Sequence, residues 1–218
     1  MKAGLYWHVV LMSTSLLLAC SSTPPPPVWE MDAKSSLDRA VNAWLSGEDR
    51  VEVTEFARAR SELTRTGRPE LVARAELTRC ATRVASLVFE ACTGFEQLAV
   101  DASNEELAYA RYLGGAELAG DVALLPVQQR AAAQAASAQT IAGIGDPLGV
   151  LVAAGVALRR GQANPAIAAL AVEKASQQGW RRPLLAWLNI QLKAAEGSGE
   201  AAEAERLRRR IVLVTRPS

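Results

Sequence analysis

Apolar residues recur every three to four positions along most of the chain after residue 30, and alternation of apolar and polar residues is rare. The first spacing places apolar side chains on one face of an α-helix, whereas alternation is typical of β-strands. The composition agrees, because 41 of the 218 residues are Ala, the strongest helix former. The sequence therefore predicts an all-α fold, with one helical domain over residues 30–214 and a short tail at 215–218.

The helical pattern is most regular in the last third of the chain. An Asp or Asn side chain stands directly before Pro147 and before Pro165, an arrangement that is typical of the first turn of a helix. Glycines follow the apolar stretches and end them. The pattern predicts two helical hairpins in series, at 147–178 and 183–212.

The earlier part of the chain is less regular. A first helix is expected to begin at a cap on Asp32 or Ser35 and to end at Gly47. The Ala-rich stretch 122–138 is expected to form one helix. Because small side chains let helices approach closely, this helix is predicted to lie at the centre of the packing.

The N-terminal segment differs from the rest. Lys2 precedes a long apolar run, which is the order found in secretory signal peptides. The run ends in Leu17-Leu18-Ala19-Cys20, which resembles the lipobox of bacterial lipoproteins. The resemblance implies that residues 1–19 are removed and that Cys20 is lipidated. An uncleaved membrane anchor and a secreted protein with an ordinary cysteine are the alternatives.

Residues 20–29 are expected to form a tether between lipid and domain. Ser21-Ser22-Thr23 is polar, and Pro24 to Pro27 favour an extended polyproline helix. By resemblance to lipoproteins of Gram-negative bacteria, Ser21 in place of Asp implies sorting to the outer membrane. The lipid anchor would then hold the protein on the periplasmic face, with the membrane as one partner.

Two cysteines remain besides Cys20, namely Cys80 and Cys92. Export places such a pair in an oxidising compartment, where disulfides persist. On one continuous helix the two would be ~18 Å apart, whereas a disulfide needs Cα atoms within ~7 Å. A bridge therefore requires the chain to turn between them. A disulfide is the favoured interpretation, and two buried free thiols on one helix are the alternative.

The last third also carries a family resemblance. Ala154-Gly155-x-x-Leu158, then Gly161 and Ala166-x-x-x-Leu170, resembles the small-residue code of tetratricopeptide-like repeats. The second hairpin keeps Gly197 at its turn but has Trp187 where the small pair would stand. The resemblance covers about a third of the chain. It implies a short solenoid of stacked antiparallel hairpins with a concave face for a peptide or a protein partner; an irregular bundle is the alternative.

The sequence offers little for catalysis. Its only histidine, His8, lies in the segment expected to be removed, which excludes His-dependent triads and His metal sites from the processed chain. Phosphate-binding and metalloprotease motifs do not occur. The formal net charge of +1 does not favour nucleic acid. We therefore expect no metal, no organic cofactor and no nucleic-acid partner.

Acid–base catalysis by carboxylates, as in cell-wall glycan hydrolases, is the enzyme alternative. Glu90, Glu96, Glu105 and Glu106 lie in the less regular middle of the chain, where a cleft can form. Glu106 also completes a capping box with Ser103. Glutamates on helices are more often solvated than catalytic, which weakens this alternative.

Trp and Arg side chains dominate binding hot spots, so four residues near the tether and at a helix junction are candidate partner-binding residues: Trp29, Trp180, Arg181 and Arg182. Trp44 and Trp187 stand on apolar stripes and are expected in the core. The Arg-rich stretch 206–210 is interpreted as the basic C-terminus of a helix, which its dipole favours.

These observations combine into one hypothesis. The chain is expected to be a lipid-anchored envelope lipoprotein that serves as a non-catalytic scaffold for protein partners in cell-envelope assembly or secretion. A carboxylate-dependent glycan hydrolase and a structural lipoprotein that packs against the cell wall are the alternatives.

Overall fold

The structure, a computed structural model, describes residues 25–118 and 120–216. Within these ranges the helices are α1 (Val28–Ser46), α2 (Asp49–Thr64), α3 (Pro69–Ala85), α4 (Thr93–Glu96), α5 (Asn104–Leu113), α6 (Val127–Gln134), α7 (Ala138–Ala142), α8 (Pro147–Arg159), α9 (Pro165–Gln177), α10 (Arg181–Gly197) and α11 (Ala201–Thr215). Short 3-10 helices lie at Ala99–Asp101 and Asp121–Leu124. No strand occurs in this part of the chain, so the predicted all-α fold is confirmed.

None of the helices in the described ranges combines the length and the apolar character that crossing a bilayer requires. The predicted signal peptide and Cys20 lie outside the described residues.

The first helix begins earlier than predicted. Helix α1 starts at Val28, without a side-chain cap, because the carbonyl oxygen of Pro27 accepts hydrogen bonds from the backbone N–H groups of Glu30 and Met31. Val28 and Trp29, which the sequence assigns to the expected tether 20–29, therefore belong to α1. The predicted end of the first helix at Gly47 is confirmed, since Gly47 adopts a left-handed φ of 89° that a glycine takes without strain.

The stretch 122–138 does not form the single central helix that its composition predicts. Pro126 lacks a backbone N–H and separates the 3-10 helix from α6, and Ala135 then takes an extended conformation with φ −146° and ψ 98°. Ser137 begins α7 with a capping box of its own. The prediction was wrong because high Ala content favours a helix but does not set where it is interrupted.

Helix α8 occupies the centre instead. Every residue from Gly149 to Ala157 is buried, as expected for a helix that is apolar on all sides. It packs against α3 on one side and α9 on the other. The pairs α8–α9 and α10–α11 confirm the two predicted hairpins, and α10 returns to contact α1.

Two groups of buried side chains hold the helices together. The main core joins α3, α5 and the helices from α8 to α11, and Trp187 is fully buried within it, as predicted. A smaller core of Ala40, Phe56 and Ala75 lies between α1, α2 and α3.

Candidate functional site: a groove between α3, α5 and α6

A groove of about 660 Å³ lies between the middle of α3, the start of α5 and the residues leading into α6. We call it the α3–α5–α6 groove. Its lining is mainly apolar, with charged side chains from three helices added to it: Leu77, Tyr109, Leu124, Leu125, Pro126, Val127, Arg74, Glu105, Glu106 and Arg130, together with Thr78 and Ser103. Val127 is 76% exposed although it is apolar. The groove therefore offers hydrophobic surface to a ligand.

Two of the four charged side chains in the groove, Arg74 and Glu106, form an ion pair with each other. Glu106 is buried and accepts a hydrogen bond from Arg74 Nε at 2.7 Å, while its other oxygen accepts one from the backbone N–H of Ser103 at 2.9 Å. The Ser103 hydroxyl in turn accepts from the Glu106 N–H, which confirms the predicted capping box. These bonds fix the start of α5 against α3.

Arg130 and Tyr109 line the groove and keep hydrogen-bonding groups that the described residues do not use. Arg130 Nε donates to the carbonyl oxygen of Leu125 at 2.9 Å, and its guanidinium makes no ion pair with the described residues. Tyr109 stacks on Tyr112 with ring centroids 6.1 Å apart, and burial raises the pKa of the Tyr109 hydroxyl. A neutral phenol and an unpaired guanidinium beside apolar side chains suit a polypeptide ligand, which has both carbonyl oxygens and apolar groups.

The glutamates of the hydrolase alternative do not gather at one cleft. Glu105 and Glu106 line the α3–α5–α6 groove, whereas Glu90 and Glu96 line a separate cavity of about 430 Å³ beside the cysteine pair. Glu90 lies 3.4 Å from Arg83 Nε. The structure thus places the four carboxylates in two pairs.

Four glutamates are buried and bind arginines of other helices. The ion pairs with N–O distances of 2.9 Å or less are Arg39–Glu55, Arg60–Glu76, Arg79–Glu52, Arg83–Glu52 and Arg74–Glu106. The Arg39 hydrogen bond holds the pKa of Glu55 below its usual value. These bonds join α1, α2, α3 and α5.

Trp44 lies at the centre of a cationic cluster and not in a purely apolar environment. The guanidinium carbons of Arg83 and Arg182 lie 3.4 and 3.7 Å from its ring centroid. Its indole N–H donates to the Thr82 carbonyl oxygen at 3.1 Å. Since Trp44, Arg83 and Arg182 belong to α1, α3 and α10, the cluster ties three distant parts of the chain together.

The candidate partner-binding residues have different environments. Arg182 is engaged internally, because it also donates to the Trp44 carbonyl oxygen at 2.8 Å and to Asp49. Trp180 packs against the main core and is half-buried. Arg181 is exposed, and Trp29 is half-buried on the first turn of α1.

Cys80 and Cys92 lie at the distance that a disulfide requires. Their sulfur atoms are 2.18 Å apart and their Cα atoms 5.8 Å apart. The chain turns between them as predicted, because α3 ends at Ala85 and Leu87 takes a left-handed φ of 60°. In the described ranges, no three His, Cys, Asp or Glu side chains come close enough together to hold a metal ion.

Sequence reasoning did not identify the α3–α5–α6 groove. The apolar run from Leu124 to Val127 was a usable signal, since an apolar stretch that a proline interrupts cannot bury itself as one helix face. The partners of this run, such as Arg74 and Tyr109, are distant in sequence. Comparison with other proteins adds no assignment: no protein family, curated protein or solved structure matches the chain.

Proposed function

We propose that this protein is a bacterial envelope lipoprotein, anchored through Cys20 to the outer membrane and facing the periplasm. Its helical domain acts as a non-catalytic scaffold that binds a partner protein involved in envelope assembly or secretion. The α3–α5–α6 groove is the observation that carries the binding role, because it exposes apolar side chains while its buried glutamate is already paired.

Two sequence features support the location. The motif Leu17-Leu18-Ala19-Cys20 resembles a lipobox, and a proline-rich segment follows it. A disulfide between Cys80 and Cys92, whose Cα atoms lie 5.8 Å apart, suits an oxidising compartment. A groove that opens to solvent suits one segment of a partner chain, with apolar groups contacting Val127 and carbonyl or carboxylate oxygens meeting Arg130.

Site-specific photo-crosslinking in cells tests the binding role. A photoreactive amino acid placed at Val127, in the groove, is expected to capture a specific protein partner. The matched control is the same amino acid at Val53, an exposed valine of α2 that does not line the groove. Capture that depends on Val127 supports the scaffold if Leu124→Asp or Arg130→Glu weakens it in a chain that still folds.

Two other results would contradict the scaffold and favour one of the alternatives. An absence of position-specific adducts, together with digestion of purified cell-wall glycan that Glu→Gln substitutions at Glu90, Glu96, Glu105 or Glu106 abolish, would replace the scaffold with the hydrolase. An absence of both, with the protein retained on purified cell wall, would favour a structural lipoprotein.

Mass spectrometry of the native protein tests the anchor. The expected N-terminal peptide begins at Cys20 and carries acyl chains, and Cys20→Ser is expected to release the protein from the membrane fraction. A native chain that retains Met1, or that begins elsewhere without acylation, would refute the proposed location.

A further inference from the structure

Helix α11 presents two different faces. Ala204 and Leu207 are buried, and Ile211 and Val214 continue the same stripe against the main core. These positions follow the spacing of one helix face. The opposite side is solvent-exposed and still contains large apolar residues, because Val212 is 52% and Leu213 is 70% exposed.

Charge is segregated along the same helix. The last acidic residue before position 217 is Glu205, and the stretch 206–216 contains five arginines and no Asp or Glu. Arg206 and Arg208 are paired with Glu203 and Glu196 at 2.6 Å. Positive charge is therefore compensated in the first half of α11 and accumulates toward its end.

The remaining arginines are weakly paired. Arg209 lies 3.6 Å from Glu205 with its side chain 66% exposed, and Arg210 and Arg216 make no ion pair with the described residues. The expected role of this cluster, to compensate the dipole at the helix C-terminus, does not fit its position. The last turn of α11 contains no basic residue, and the arginines at 206–210 precede it.

We propose that the end of α11 is a membrane-contact site for an anionic bilayer surface. We call it the α11 tip, comprising Arg209, Arg210, Val212, Leu213 and Arg216. The guanidinium groups bind phosphate oxygens of lipid headgroups, and the two apolar side chains enter the boundary between headgroups and acyl chains. Weakly paired or unpaired arginines beside exposed aliphatic groups match such a surface in both charge and polarity.

The location of the domain supports a bilayer as the partner, and this step rests on the proposed anchor at Cys20. Seven residues separate Cys20 from Val28, the first residue of α1. A segment of that length spans at most about 25 Å. The domain is thus held close to the membrane, and docking of the α11 tip would fix which face it turns toward the lipid.

A fluorescence experiment on the full-length acylated protein tests the proposal. An environment-sensitive dye is attached at Thr215→Cys, directly before Arg216 of the α11 tip, or at Thr54→Cys, an exposed threonine of α2. The protein is reconstituted in phosphatidylethanolamine vesicles with or without phosphatidylglycerol. With phosphatidylglycerol, the dye at position 215 is expected to shift to the blue and to be quenched by spin-labelled lipid, whereas the dye at position 54 should not respond.

Charge variants provide the matched comparison. Arg209→Gln/Arg210→Gln is expected to lower the ratio of docked to undocked protein roughly tenfold or more at low salt. Arg58→Gln/Arg65→Gln makes the same change in net charge on α2 and at the residue that follows it, and should leave the ratio unchanged. Leu213→Ser should lower the ratio in both low and high salt.

The outcomes separate this proposal from the proposed function. A dye at position 215 that ignores phosphatidylglycerol in acylated protein would overturn the contact site and leave the anchor intact. A blue-shifted dye at position 215 in the absence of lipid would also overturn the contact site, in favour of a protein partner or a second copy of the chain. If Cys20 proves unmodified, the anchor fails, and the response of the dye to added vesicles still decides whether the α11 tip binds lipid.

Discussion

Gly155 of α8 lies directly against the backbone of Val84 in α3. A Cβ atom at position 155 would overlap the carbonyl oxygen of Val84 and stand 3.0 Å from its carbonyl carbon. Because the residues around Gly155 in α8 are buried, the helix cannot move aside without disturbing its other contacts. The closest approach of the two central helices therefore depends on the absence of a side chain.

Gly155→Ala is expected to destabilise the protein despite the higher helix propensity of alanine. Forcing one carbon into a close backbone contact costs about 2 kcal/mol or more in the free energy of unfolding. Gly197→Ala is the control, since a Cβ atom there meets nothing within 4 Å, and it should leave stability unchanged or slightly raised. Urea denaturation compares the two, and equal midpoints would contradict the close approach of α3 and α8.

The sequence marks Gly155 as part of a small-residue pattern that resembles a tetratricopeptide-like repeat. It could not identify the residue that packs against Gly155. The repeat resemblance places the small residues at contacts within and between consecutive hairpins, whereas the residue at this contact is Val84, which lies 71 positions earlier. Periodicity shows which face of a helix is covered, but the covering helix is set by tertiary packing.

Glu52→Gln should be among the most damaging single substitutions. Glu52 is 3% exposed and binds both Arg79 and Arg83, of which Arg83 is 7% exposed. Burial already lowers the pKa of the Arg83 guanidinium, and the Glu52 carboxylate opposes that effect. Removing the negative charge leaves the buried cation with only the exposed Glu90 carboxylate, 3.4 Å away, as a counter-charge. The expected cost is about 3 kcal/mol.

The matched control is Glu62→Gln. Glu62 pairs with Arg65 three residues away at 2.8 Å, and the Arg65 side chain is 71% exposed. Exposed pairs of this kind contribute at most about 1 kcal/mol. Thermal unfolding of both variants should show a large fall in melting temperature for Glu52→Gln only. Similar melting temperatures would mean that the surroundings of Arg83 are more hydrated than its burial indicates.

The Glu–Arg pairs also show where sequence reasoning reached its limit. The partners are separated by 16 to 32 positions, so no helical spacing links them. A glutamate on a helix is solvated in most proteins, and only the packing of α1, α2, α3 and α5 turns these four inward. Local signals such as the Ser103–Glu106 capping box were predicted correctly because both partners lie within one turn.

Reduction of the Cys80–Cys92 pair is expected to lower the free energy of unfolding by about 3 kcal/mol, which is the entropic contribution of closing a loop of this length in the unfolded chain. The melting temperature should fall on addition of a phosphine reductant. The double variant Cys80→Ser/Cys92→Ser should match the reduced protein and should not respond to reductant. Titration of two free thiols in the native protein would show that the pair is not bridged.

The burial of the Tyr109 and Tyr112 hydroxyls predicts that the protein loses stability at alkaline pH. Burial raises the pKa of both phenols above the value of about 10 that holds in an unfolded chain. Above that pH the unfolded state loses tyrosine protons that the folded state retains, so the free energy of unfolding falls as pH rises. Each tyrosine contributes a slope of up to about 1.4 kcal/mol per pH unit until its folded-state pKa is reached.

The two Phe variants separate this titration from ordinary packing. Tyr112 donates to Gln129 at 2.9 Å, so Tyr112→Phe should lose stability at pH 7 as well as part of the alkaline slope. Tyr109 makes no side-chain hydrogen bond with the described residues, so Tyr109→Phe should be near neutral at pH 7 and flatten the slope above pH ~10. Urea midpoints measured from pH 8 to pH ~11 test this. The contradicting result is an alkaline slope of stability against pH that is the same for Tyr109→Phe and the unsubstituted protein. The Tyr109 hydroxyl would then titrate as freely in the folded state as in the unfolded one. The α3–α5–α6 groove would be wetter at that point than its lining indicates.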